Sequence, residues 1–146
     1  MATRASRARL LAGLSSLGFL GTALVHSSGY ASIARLAHDV PGPMGRLMPG
    51  LWLIFSMDLT VLGLILAAVV LRPGDAARPV LVIAALCPLA AAGLQLWFIG
   101  FVPPTALLLA LGALTLISGI AWPPHRGASV PASQRIGWSK ARRPAS

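Results

Sequence analysis

The chain has 146 residues, 56% hydrophobic and only 10% charged, with a mean hydropathy of +0.79. A soluble domain carries about 25% charged residues, so this composition excludes an ordinary water-facing fold and places the chain among integral membrane proteins. The net charge of +9 does not mark a nucleic-acid binder, because the basic residues gather in the tails and one short loop.

In chain order, the first apolar segment covers 10–28, behind Arg4, Arg7 and Arg9. A basic start before an apolar stretch also describes a signal peptide. Here the uncharged run continues to Ala34 and no small-x-small cleavage site follows, so retention as helix one is the expectation. An outer loop, 29–46, comes next. Within it, residues 30–37 can form a short interfacial helix with Ile33 and Leu36 dipping into lipid, and Val40-Pro41-Gly42-Pro43 enforces a turn.

Helix two is expected at 47–71, bounded by Arg46 and Arg72, with Pro49 in its first turn, where a proline is tolerated. Residues 72–78 carry strong turn chemistry. Residues 79–125 then contain no formal charge, too long a run for one crossing at about 20 residues each. Pro103-Pro104 divides the run into a third helix at 79–99 and a fourth at 104–122. Pro88 should kink or loosen the third helix, while Cys87 beside it reads as a small buried hydrophobe. A lone cysteine excludes an internal disulfide.

The fold class expected is therefore all-α: four transmembrane helices in an antiparallel bundle over 1–122, followed by a disordered basic cytoplasmic tail over 123–146. Charge sets the orientation. With both termini cytoplasmic, ten of the twelve basic residues lie inside, and only Arg35 and Arg46 fall outside. Trp52, Trp97, Phe98 and Phe101 then sit towards the outer interface and Trp122 at the inner one. The expected location is the inner membrane of a bacterial cell. Trp138, Lys140, Arg142 and Arg143 can rest on anionic headgroups or stay solvated.

Asp58 is the sole acid in helix two. A carboxylate at mid-membrane costs about 2.5–3.5 kcal/mol on insertion scales, so it needs a partner or a task. Helical rise puts it about 15 Å deep, below His26, Trp52 and Gln95, which share an outer layer. Candidate hydrogen-bond partners for Asp58 are Thr22, Ser56, Thr60 and Gln95. The ligand-binding or proton-binding candidates are thus Asp58, His26, Trp52, Gln95, Thr22 and Thr60. Ser15, Gly18, Thr22 and His26 share one face of helix one, and Ser56, Thr60, Gly63 and Ala67 one face of helix two. These stripes read either as packing seams or as the walls of a narrow polar crevice.

No catalytic motif, phosphate loop, zinc spacing or haem ligand set is present, and no cofactor or metal is expected. The leading expectation is a non-catalytic accessory subunit, or a binder of a hydrophobic small molecule in an outward-facing intramembrane cavity near Asp58. Its partners are the lipid bilayer, a hydrophobic small molecule, and a homo-oligomer or larger membrane complex. A second reading is a proton-coupled transporter acting as a homodimer. Four short helices and one membrane carboxylate are similar in outline to small multidrug transporters. The essential acid there lies in the first helix, whereas helix one here has none, and the outer loop and tail here are longer. A third reading is a membrane-embedded enzyme on a lipid or isoprenoid, using Asp58 with His26 as acid and base.

Overall fold

A computed structural model describes residues 3–123; the basic tail expected to be disordered lies outside the described residues. Five helices form, with no strand among the described residues: α1 Arg4–Ser28, α2 Tyr30–His38, α3 Pro43–Leu71, α4 Ala77–Phe98 and α5 Pro103–Ala121. By length and composition, four stretches can each cross a membrane: α1 continuing into α2, then α3, α4 and α5.

Local chemistry explains the helix starts. The Thr3 side chain accepts a hydrogen bond from the Ser6 N–H at 3.2 Å, capping α1. Helices α3 and α5 both open on proline, whose fixed φ suits a first turn and whose missing N–H would lack a partner there. Gly42 and Gly100 take φ of 76° and 91°, left-handed values that let the chain reverse before those prolines.

The connection between the first two spans is far more helical than the loop expected over 29–46. Helix α2 is in place, α3 starts at Pro43, and residues 39–42 alone join the two. Pro49 consequently lies inside α3 rather than in its first turn. Gly45 allows this tight join, since a Cβ there would strike the backbone carbonyls of Ala37 and Val40.

Packing centres on α1, which lies against both α3 and α5; α5 carries α4, while α3 and α4 touch only slightly. The start of α1 lies beside the ends of α3 and α5. Arg9 Nη2 donates to Val70 O at 2.8 Å and Arg4 Nε to Ala121 O at 3.2 Å, satisfying carbonyls that the helix ends leave without donors. Further along, Ser118 Oγ donates to Ala8 O and Ser16 Oγ to Gly63 O, each at 2.8 Å. Small residues set the spacing at these seams. Gly63 admits Leu20 of α1, and Gly112 admits Pro88 and Leu89 of α4. Pro88 is thus buried in a helix–helix seam, within a helix that continues to Phe98.

Phe19, Leu66 and Leu81 are completely buried in the core. The outer surface is apolar, with Leu17, Leu24, Ile83 and Leu94 all exposed, as hydrocarbon contact requires. Trp97, Phe98 and Phe101 are exposed where α4 turns into α5. Cys87 is exposed on α4, contrary to its reading as a buried hydrophobe. The buried face of α4 runs through Leu81, Ala85, Pro88 and Ala92, and Cys87, one residue before Pro88, is turned about 100° from it.

Candidate functional site

His26 occupies the last turn of α1, where backbone carbonyls lack intrahelical donors. Its own carbonyl accepts from Gly29 N–H at 3.1 Å and from the Trp52 indole N–H at 2.7 Å. The two rings also stack, with centroids 3.8 Å apart and planes 15° from parallel. Gly29 makes the approach feasible: a Cβ at that position would come within 2.9 Å of the Trp52 ring.

The imidazole is fixed from a second side. His26 Nδ1 lies 2.8 Å from Ser56 Oγ, and that hydroxyl donates to Trp52 O at 3.1 Å. The single Ser56 proton can point to either acceptor, so the direction of the Nδ1 contact follows the imidazole tautomer. Phe55 tilts against the ring at 5.0 Å. Trp52, Phe55 and Ser56 act together because spacings of three and four put them on one face of α3.

A cavity of about 390 Å³ opens beside this cluster, lined by His26, Trp52 and Gln95 with Ile33, Met48, Leu51 and Phe55. Apolar walls and few polar groups are the usual make-up of a small-ligand site. On the other side of His26, a second cavity of about 260 Å³ is walled by Thr22, Phe55, Pro103 and Leu107. Gln95 is held by α5, for Thr105 Oγ1 donates to Gln95 Oε1 at 2.9 Å.

Of the residues singled out in the sequence, His26, Trp52 and Gln95 meet in one cavity and Thr22 lines the next. The hydroxyls of Thr22 and Thr60 donate to Gly18 O and Ser56 O within their own helices, at 2.7 and 2.9 Å. Asp58 stands apart. It is exposed, lines neither cavity, and makes no hydrogen bond to any described residue. Its position two residues beyond Ser56 turns it about 200° around the helix, away from α1. The expectation that Asp58 floors the polar layer therefore fails on rotation rather than on depth.

His38 Nδ1 lies 3.5 Å from Asp39 Oδ1, with both side chains over 80% exposed at 88% and 85%. Among the described residues, no three of His, Cys, Asp and Glu gather as a metal site would need. Thr105, which holds Gln95, is the participant that sequence reasoning missed, and Ser56, expected as a partner of Asp58, lies against His26 instead. The available signal was the position of Thr105 just past the turn that follows Gln95.

Comparison with known proteins gives no match: no family model fits the chain, and no curated protein or solved structure matches it.

Proposed function

We propose that this chain is a non-catalytic multi-pass membrane protein that binds a hydrophobic small molecule in the cavity between His26, Trp52 and Gln95. The bilayer arrangement that goes with this reading is an antiparallel four-span bundle with both termini cytoplasmic in a bacterial inner membrane, supported by the basic residues at one end of the helices. The observation that carries the binding reading is a histidine locked by stacking and by Ser56, facing a mostly apolar space of about 390 Å³. Holding a polar side chain so rigidly beside an apolar cavity is how ligand sites set orientation. Compared with the sequence expectation, the site moves from Asp58 to His26.

Native mass spectrometry of protein released from lipid nanodiscs tests this. The wild-type chain should retain a bound lipophile that Leu51→Trp, which fills the cavity, loses. Equal retention by both would refute the reading.

A second reading, the homodimer, draws on Asp58. An exposed carboxyl with no hydrogen-bond partner among the described residues, midway along a helix able to span the membrane, favours contact with a second copy. Pairing of Asp58 with His26 as acid and base has no such support, since Asp58 does not line the histidine's cavity.

A further inference from the structure

Asp58 lies on a stripe of α3 that the other described helices leave uncovered. Ile54, Asp58, Val61 and Ile65 follow one another at spacings of four, three and four, so they share one face, and all four are exposed. This is the spacing of a helix–helix seam, and Asp58 is its only polar member.

No described residue serves this carboxyl. Along α3 the nearest basic residues are Arg46 and Arg72, about 18 and 21 Å away by helical rise. On the helices packed against α3, Arg4 and Arg9 donate to carbonyls at helix ends, and His26 lies on Ser56. Arg7 starts α1; Tyr30, Arg35 and His38 lie on α2, ahead of Asp39; Arg78 and Cys87 lie on α4. None of them hydrogen-bonds to Asp58.

The partner therefore comes from outside the chain. A second copy in the same orientation brings one group to this depth and this face by symmetry, its own Asp58. A protonated carboxyl has one donor and an acceptor, so two of them across a two-fold axis satisfy each other, O–H to C=O in both directions. Ionised carboxylates only accept, so the pair must hold at least one proton. Hydrocarbon supplies no water to either group, which favours the paired state.

Resting on the second-copy reading above, we propose that α3 packs against α3 of a second copy with the two-fold axis through Asp58, where the two carboxyls form a proton-holding pair. Ile54, Val61 and Ile65 continue the seam on either side of the axis. Leu64, equally exposed but turned about 100° from Ile65, lies off it.

The test uses the full chain in phosphatidylcholine vesicles, in a Cys87→Ser background that keeps Asp58. On oxidation, Ile54→Cys and Val61→Cys should form disulfide-linked dimers about fivefold or more faster than Leu64→Cys. Energy transfer between donor- and acceptor-labelled copies reads the pair itself. Asp58→Lys should not associate with itself and should associate with the wild type, whose carboxylate accepts from the ammonium. Wild-type association should weaken about fivefold or more at alkaline pH, as a hydrogen bond is lost, whereas Asp58→Asn should not respond. If Asp58→Lys does not insert, the cysteine series and the pH response decide. A wild-type dimer that cross-links equally at Leu64, or that ignores pH, would overturn the carboxyl pair and leave the second-copy reading standing. A monomeric wild type would overturn both and leave a cation-bearing helix of another protein as the occupant.

Discussion

His26 and Trp52 are joined twice: their rings stack at 3.8 Å, and the Trp52 indole N–H donates to the His26 carbonyl at 2.7 Å. The second bond ends α1 as much as it fixes the tryptophan, because that carbonyl sits in the last turn. Trp52→Phe keeps much of the stack and removes the donor. It should lower unfolding stability by about 1–2 kcal/mol, read from denaturant titration in micelles. No change would mean that the indole bond adds nothing to the solvated alternative.

Ser56 Oγ, 2.8 Å from His26 Nδ1, is placed to select the tautomer. Nitrogen-15 NMR of histidine-labelled protein should show His26 protonated on Nδ1 and bare on Nε2. In Ser56→Ala the ring loses its orienting acceptor, and the spectrum should shift to a mixture of tautomers. A wild-type Nε2–H tautomer would reverse the polarity of the cavity.

Two glycines should respond in opposite ways to alanine. At Gly63 a Cβ would meet Leu20 Cγ at 2.7 Å and Ser16 O at 3.2 Å, which pushes α1 from α3 and strains the Ser16–Gly63 hydrogen bond. Gly63→Ala should cost about 1–3 kcal/mol. At Gly93 a Cβ meets nothing within 4 Å. Gly93→Ala should be neutral or stabilise by up to about 1 kcal/mol through helix propensity. Thermal unfolding of the pair side by side gives the comparison.

Asp58 distinguishes a lone chain from an assembly. If a second copy supplies its partner, Asp58→Asn, which still donates and accepts, should remain dimeric in bilayers, and Asp58→Leu should become monomeric. Single-molecule photobleaching in nanodiscs or vesicles reads this directly. Dimers of undiminished stability in Asp58→Leu would remove the carboxyl from any interface. A monomeric wild type would dispose of the second reading altogether.

Orientation is open to labelling. In a Cys87→Ser background, Gly100→Cys should react with an impermeant maleimide from outside intact cells, and Gly74→Cys only after lysis. The opposite pattern would invert the bundle.

The spans were legible because charges and prolines punctuate the apolar runs: Arg72 and Arg78 frame one turn, Pro103-Pro104 the other. The start of the second span was less so. Arg46 bounds the uncharged run, whereas the helix itself begins at Pro43, where a left-handed Gly42 precedes a proline suited to a first turn. Depth along a helix follows from counting residues, so the shared layer of His26, Trp52 and Gln95 could be read from sequence. Rotation about the axis could not. It depends on which small residues let which neighbours approach, as Gly63 does for Leu20, and it separates Asp58 from a cavity at nearby depth.

The most direct measurement leaves Trp52 as the only tryptophan, with Trp97, Trp122 and Trp138 changed to Phe, and follows its fluorescence in nanodiscs on adding 1-bromododecane. A binding cavity beside Trp52 predicts quenching that saturates and is lost in Leu51→Phe combined with Met48→Phe, which fill the space. Quenching that rises linearly with probe, and equally in the filled variant, would contradict it.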